Sequence, residues 1–190
     1  MNEATEDILN RVKLMVASGF CDLEEIHDTI EEMSEEESDA DEVFLLECVG
    51  KEIKKIRADE KSWPAVTDCD RLESAFDNLN ENQIIAMHVA GYTTSDGVDD
   101  ACELREEMGE ENVIGFCFYH EQDLERVVNG DELYIAYGSY SDNDEKNIVI
   151  AELVKAELEE QGLKVTWNGD PKERILISKF DWKRRGPLLG

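Results

Sequence analysis

The stretch IIAMHVAGYTTSDGVDDACELREEMGEENVIGFCFYH, residues 84–120, decides the fold class. It begins with an apolar, β-rich run at residues 84–88 and ends with a second such run at residues 113–118. A helical pattern at residues 97–108 separates the two runs. Because a helix between consecutive strands is typical of a parallel crossover, this stretch predicts a β–α–β unit.

The alternation of strands and helices continues on both sides of this unit. Further strands are predicted at residues 133–137, 164–167 and 174–177, and further helices at residues 69–79, 121–128 and about 145–161. Asn168-Gly169-Asp170-Pro171 separates the last two strands and predicts an antiparallel hairpin. Helices between the other sequential strands imply parallel crossovers. We therefore predict an α/β fold, with α+β as the alternative, built on a mixed five-stranded sheet with flanking helices.

The N-terminal part of the chain has a different pattern. Residues 1–62 contain 19 acidic and 7 basic side chains, and no Lys or Arg lies between Leu14 and Gly50. Apolar residues recur there at helical spacing, which predicts three amphipathic helices, with an acidic solvated link at residues 34–39. Trp63-Pro64 should end the third helix, since proline disfavours helical geometry in the preceding residue. We predict an acidic helical segment over residues 1–62 and an α/β domain over residues 63–190.

Composition excludes several classes of protein. The chain has 190 residues, and 19 Lys+Arg against 47 Asp+Glu give a net charge of −28, which disfavours direct binding to nucleic acid. No apolar run approaches the roughly 20 residues that cross a bilayer, and the first residues are acidic, unlike a signal peptide. A cytoplasmic protein without membrane contact is predicted. Common cofactor motifs are missing, so no cofactor is predicted.

The residues that follow the first two strands are the candidate site. In open α/β sheets, ligands bind beyond the carboxyl ends of the strands, and parallel neighbours would bring these side chains to one rim. Two imidazoles, two phenols and two carboxylates suit acid/base chemistry or the binding of a divalent metal ion. The six candidates are His88, Tyr92, Asp96, Tyr119, His120 and Asp123.

The same residues have a structural interpretation. Thr94 or Ser95 would cap the next helix, with acidic residues favoured in its first turn, and residues 119–123 would form the capped start of another helix. The acidic loops at residues 96–100 and 142–147 lack the spacing of a calcium loop, so no metal ligands are predicted. The basic, aromatic residues 179–185 predict an intramolecular clasp onto the acidic helices or a subunit contact.

Four motifs carry a resemblance to a known family: residues 63–72 (WPAVTDCDRL), 88–97, 115–126 and 180–185 (FDWKRR). In these motifs the chain resembles an uncharacterised bacterial domain family from Trp63 to Arg185, and Ser18-Gly19-Phe20 is also similar. The resemblance implies a cytoplasmic bacterial protein. It implies no activity and no catalytic residues.

Two functions are consistent with these observations. The first is a non-enzymatic regulatory or protein-interaction module, whose acidic surface binds a basic protein partner, with a homo-oligomer also possible. The alternative is an enzyme or a small-molecule or metal binder with a site at the strand ends around His88 and His120. Mimicry of nucleic acid by the acidic surface also fits the sign of the charge.

Overall fold

A computed structural model describes residues 1–37 and 39–189. Ser38, in the predicted acidic link, and Gly190, at the end of the predicted α/β domain, lie outside the described residues. The chain divides into two units: one holds residues 1–67 and the C-terminal residues from Lys183 onward, and the other is Asp68–Trp182. The predicted division into an acidic helical segment over residues 1–62 and an α/β domain over residues 63–190 stays a prediction.

Three helices form the first unit: α1 (Glu3–Ser18), α2 (Leu23–Glu36) and α3 (Glu42–Glu60). Local capping sets their boundaries, because the side chains of Asn2, Asp22 and Asp41 each accept from an amide in the first turn. α2 begins with a full capping box, in which Glu25 returns a bond to the amide of Asp22. α2 continues to Glu36, into the predicted link. α3 ends at Glu60, three residues before Trp63.

The core of this unit lies on the inward stripes of the three helices. Residues without exposed surface come from all three, namely Ile8, Val12, Ile26, Ile30 and Leu45. Leu188, in a C-terminal 3-10 helix (Pro187–Leu189), is buried in the same cluster. The helical periodicity that predicted the helices therefore also identifies the core.

Within this unit, the C-terminal basic residues contact residues 1–67. The Arg184 guanidinium lies 4.2 Å from the centre of the Phe20 ring. Arg185 donates to the Pro64 carbonyl at 2.8 Å, and its Nε lies 3.4 Å from Glu60. The predicted intramolecular clasp onto the acidic helices is confirmed for Arg185, which pairs with Glu60 of α3.

The second unit is an α/β layer structure with four helices and a five-stranded sheet. In chain order its elements are α4 (Asp68–Glu81), β1 (Ile84–Met87), α5 (Thr94–Met108), β2 (Gly115–Phe118), α6 (Glu121–Val128), β3 (Leu133–Gly138), α7 (Asp144–Glu160), β4 (Val165–Thr166) and β5 (Ile175–Ile177). The strand order is β1-β2-β3-β5-β4. The prediction of an α/β fold with a mixed five-stranded sheet, flanking helices and three preceding helices is confirmed.

Strand directions agree with the sequence except at one pair. β1 and β2 are parallel, with Met87 opposite Phe118, and β4 and β5 form the predicted antiparallel hairpin. The crossover predicted between β2 and β3 is wrong, because this pair is antiparallel. α6 has only eight residues, and Asp123 in its first turn binds Arg174 beside β5. β3 then runs back along β2, with Ala136 opposite Phe118.

The two faces of the sheet are covered by different helices. On one face, Phe116 and Phe118 of β2 pack with Ala101 of α5. On the other face, α4 places Phe76 against the residues that follow β1 and β2. Since successive strand residues point to opposite faces, neighbours in sequence reach different environments.

Candidate functional site

The loops after β1 and β2 lie side by side at one edge of the sheet. The Ala90 amide donates to the Tyr119 carbonyl at 3.0 Å, and the Glu121 amide donates to the Gly91 carbonyl at 3.0 Å. All six candidate residues belong to these two loops or to the first turns of α5 and α6 that follow them. The parallel pairing of β1 and β2 accounts for this placement.

His88 and Tyr119 form a pair on the α4 face. The Nδ1 of His88 lies 3.0 Å from the phenolic oxygen of Tyr119, which is 0% exposed. Either atom serves as the donor, depending on the imidazole tautomer. The ring of Phe76 packs against His88 with centroids 4.7 Å apart, and Trp182 meets Tyr119 edge-on at 6.1 Å. This arrangement is a partly buried imidazole–phenol pair within an aromatic cluster.

His120 lies on the opposite face of the sheet, the face covered by α5. It is the N-cap of α6, and its Nδ1 accepts from the Asp123 amide at 3.2 Å. An accepting Nδ1 places the proton of the neutral ring on Nε2, which is 3.2 Å from a carboxylate oxygen of Asp123. Burial lowers the pKa of His120, Arg174 and Arg126 lower it further, and the Asp123 carboxylate opposes them. The imidazole is therefore neutral at neutral pH.

Asp123 is the centre of a buried charge cluster. Its side chain is 1% exposed, and Nη1 of Arg174 lies 2.9 Å and 3.1 Å from its two oxygens. Arg126 also binds this carboxylate, and the backbone amide of His120 donates to it at 3.3 Å. With Nε2 of His120, four groups surround an anion that has about four lone-pair sites. The carboxylate is saturated by the protein itself.

Tyr92 and Asp96 belong to the start of α5. Thr93, rather than the predicted Thr94 or Ser95, caps this helix, and Asp96 accepts from the Thr93 amide at 2.8 Å and from its hydroxyl at 2.9 Å. The hydrogen bond from the Thr93 side chain is the main reason that the pKa of Asp96 is lowered. Tyr92 is exposed. Asp96 therefore completes a capping box, as the structural interpretation of this segment expects.

Sequence reasoning missed two members of the charge cluster. Arg126 lies three positions after Asp123 on α6, so helical spacing was a usable signal for this contact. Arg174 is 51 positions away from Asp123 and reaches it only through the position of β5 in the sheet. Its guanidinium also lies 5.0 Å from the ring centre of Tyr134 on β3. No local pattern in the sequence indicates that contact.

The acidic surface is carried by α2. All seven of its carboxylates are exposed, namely Glu24, Glu25, Asp28, Glu31, Glu32, Glu35 and Glu36. On α3, Val43, Phe44 and Leu46 are exposed apolar side chains. Over residues 1–37 and 39–189, no group of three or more His, Cys, Asp or Glu side chains is arranged to hold a metal ion. Within the same residues, no helix is both long and apolar enough to cross a membrane.

Comparison with known proteins gives one match. The model of a family described as Domain of unknown function (DUF6891) matches residues 1–186. No curated protein and no solved structure matches the chain. The match confirms the resemblance to an uncharacterised domain family and extends it from residues 63–185 to the three N-terminal helices. Bacterial origin and cytoplasmic location stay predictions.

Proposed function

We propose that this chain, which belongs to the DUF6891 family, is a non-enzymatic protein-interaction module whose helix α2 binds a basic protein partner. The observation that carries the proposal is the exposed face of α2, where seven carboxylates have no Lys or Arg among them. Charge of one sign concentrated on one element steers an oppositely charged partner towards it. Such steering weakens as salt screens the charges.

The hydrogen bonds of three candidate residues at the strand ends support protein binding over catalysis. Asp96 completes a helix cap, His120 caps α6, and Asp123 is saturated by arginine and histidine donors. Groups engaged in this way hold the fold and have little capacity left for a substrate. The acidic surface, in contrast, is exposed along its length.

Exposed apolar side chains on α3 suit a protein partner. Val43 on α3 is 71% exposed, and Phe44 and Leu46 beside it are partly exposed. Interfaces combine a buried apolar centre with a polar rim, and charge alone gives little affinity. We therefore expect the partner to be a basic protein segment with apolar residues of its own.

The test compares two variants with equal change in charge. The α2 variant carries Glu24→Gln, Glu31→Gln and Glu35→Gln, and the control carries Glu103→Gln, Glu106→Gln and Glu107→Gln on exposed positions of α5. A partner captured from extract and then purified should bind the α2 variant about tenfold more weakly, since each exposed charge contributes up to about 1 kcal/mol. Binding to the α5 variant should stay close to wild type.

Two results would count against the proposal. One is a captured partner that is neither basic nor released by salt. The other is an equal loss of binding in both variants, which would mean that only the net charge matters. Oligomeric state, measured on the same samples by light scattering, tests the predicted homo-oligomer separately.

A second candidate is an enzyme or small-molecule binder at the strand ends. The hydrogen bond of 3.0 Å between His88 and Tyr119 favours it, because an imidazole–phenol pair can move a proton. His88 and His120 lie on opposite faces of the sheet, so this candidate depends on the His88 side. Thermal shifts with divalent metals and with chelator, on wild type, His88→Ala and His120→Ala, test it. A shift lost only in His88→Ala supports the candidate, and equal responses contradict it.

A further inference from the structure

A pocket of about 430 Å³ lies at the opposite edge of the sheet from the candidate site, where β3 ends and α7 begins. Because β3 is antiparallel to β2, its last residue, Gly138, pairs with Phe116 near the start of β2. The pocket is lined by residues of α5, of the segment before β2, of the loop after β3 and of α7. Its volume is in the range of pockets for small ligands, roughly 300 to 1,000 Å³.

Two cations line this pocket in a strongly acidic protein. Arg105 of α5 lies 4.7 Å from the ring centre of Tyr140, and one end of its guanidinium is 3.4 Å from Glu110. Its Nε is buried and has no acceptor within the described part of the chain. The Arg105 side chain as a whole is 27% exposed, so an anion in the pocket can meet the terminal nitrogens of its guanidinium. Lys146, in the first turn of α7, adds an exposed second positive charge at the pocket.

The loop after β3 is held in a fixed conformation beside these cations. The Ser139 amide donates to Asn147 at 3.0 Å, and the Ser139 hydroxyl donates to the same side chain at 2.6 Å. The Ser141 hydroxyl lies 3.0 Å from that of Ser139, and because the Ser139 proton goes to Asn147, Ser141 donates its own proton to Ser139. Tyr140 has φ of 56°, a conformation rare for a side chain of this size. Such backbone strain is found preferentially at ligand sites.

The remaining wall of the pocket is apolar. Val113 and Ile150 are buried, whereas Ile114 and Val149 are 46% and 53% exposed at the mouth of the pocket. Two large exposed aliphatic side chains beside two cations have no role in the core. They match a ligand that combines a hydrocarbon body with an anionic group.

We propose that this pocket binds a small amphipathic anion, a carboxylate or phosphomonoester on a short hydrocarbon body. The anionic group lies between Arg105 and Lys146, and the hydrocarbon contacts Ile114 and Val149. This site is separate from α2 and from the strand-end residues. The binding function proposed for α2 does not depend on it.

The test uses hexanoate and hexyl phosphate as probes of the two anionic groups, with inorganic phosphate, hexanol and hexylamine for comparison. Binding is followed by changes in the amide resonances of residues 139–150 and by titration calorimetry at low salt. Both amphipathic anions, or one of them, should bind at these amides, and the tighter one identifies the anionic group. The three comparison compounds should bind at least about tenfold more weakly, since each lacks the anion or the hydrocarbon body.

Two pairs of variants on α7 make the site assignment specific. Lys146→Gln should weaken binding about threefold to fivefold, as expected for a partly exposed ion pair, and Lys155→Gln, outside the pocket, should have no effect. Val149→Asp should weaken binding about tenfold or more, whereas Leu153→Asp, exposed one turn further along, should not. All four positions are partly or fully exposed, so the fold should tolerate each change.

Three outcomes overturn the proposal. If hexanol or hexylamine binds as tightly as the two anions, the positive charges of Arg105 and Lys146 are not needed for binding. If inorganic phosphate binds as tightly as hexyl phosphate, the apolar wall does not contribute to binding. If the amide resonances of residues 139–150 do not change, or if the pocket variants and their controls have equal effects, the ligand does not bind in this pocket.

Discussion

Asp123 is a buried carboxylate whose partners come from both neighbouring and distant parts of the chain. We expect Asp123→Ala to lower the free energy of unfolding by about 3 kcal/mol, because it leaves Arg174 and His120 without their anion. The loss should lie at the low end of the range for buried pairs, since Arg126 and Arg174 are 44% and 30% exposed. Urea denaturation measures it. The control Glu125→Ala, exposed on the same helix, should change stability by less than about 0.5 kcal/mol.

His120 makes the stability of the protein depend on pH near neutrality. Burial lowers its pKa in the folded chain below the unfolded value of about 6.5, so the unfolded chain binds the proton more readily. The stability contributed by the neutral ring is present above about pH 6.5 and is lost as the pH falls towards the folded pKa. His120→Asn keeps a capping side chain and removes this titration.

Urea denaturation at about pH 7.5 and about pH 5.5 tests this effect. The wild type should lose more stability between the two values than His120→Asn does. The control variant His27→Asn makes the same substitution at an exposed histidine on α2. If His120→Asn and wild type lose equal stability, the pKa of His120 is not lowered by folding.

Two helical glycines differ in what surrounds them, and this difference sets opposite expectations for the same substitution. In α5, a Cβ on Gly97 would collide with the Phe118 ring and lie 2.7 Å from the Ala90 carbonyl. Gly50 in α3 has nothing within 4 Å of the corresponding position. Gly50→Ala should therefore stabilise the protein by about 0.5 to 1 kcal/mol. Gly97→Ala should destabilise it by about 1 to 3 kcal/mol. Thermal or urea unfolding of both variants measures these changes in stability. A gain in stability from Gly97→Ala would contradict the packing of α5 on β2.

Most elements were predictable from the sequence because their signals are local. The runs at β1 and β2, the turn at residues 168–171 and the capping box at Asp22 each depend on residues close together in the chain. The direction of β3 was not predictable, because a helix between two strands is compatible with either direction of the second strand. The direction follows from pairing between residues distant in sequence, such as Phe118 with Ala136.

The sequence predicted the location of the candidate site better than the arrangement of its side chains. The strand ends were identified correctly, since β1 and β2 are parallel neighbours. The separation of His88 and His120 follows from alternation, because Tyr119 and His120 are consecutive in extended chain and Tyr119 shares the face of His88. The pocket beside Lys146 is formed by two separate stretches of the chain, residues 105–114 and 139–150, and no single motif indicates it.

At the scale of the whole molecule, the net charge of −28 opposes the compact state. Self-repulsion acts over about 30 Å at 0.01 M salt and about 8 Å at 0.15 M, so added salt should relieve it. We expect the midpoint of thermal unfolding to rise between about 10 mM and about 500 mM NaCl. Chloride is the suitable salt, because sulfate and phosphate also strengthen apolar burial.

The α2 variant locates the source of this repulsion. Seven of the acidic residues lie on this one helix without a compensating base, so Glu24→Gln, Glu31→Gln and Glu35→Gln together should raise the midpoint at low salt. The gain should shrink as salt is added, since screening already removes the same repulsion from the wild type. The α5 control variant, with an equal change in charge, should gain less, because Arg105 in the same helix offsets part of its charge. A midpoint independent of salt in the wild type would mean that carboxylate repulsion does not limit stability, and that α2 retains its charge for binding alone.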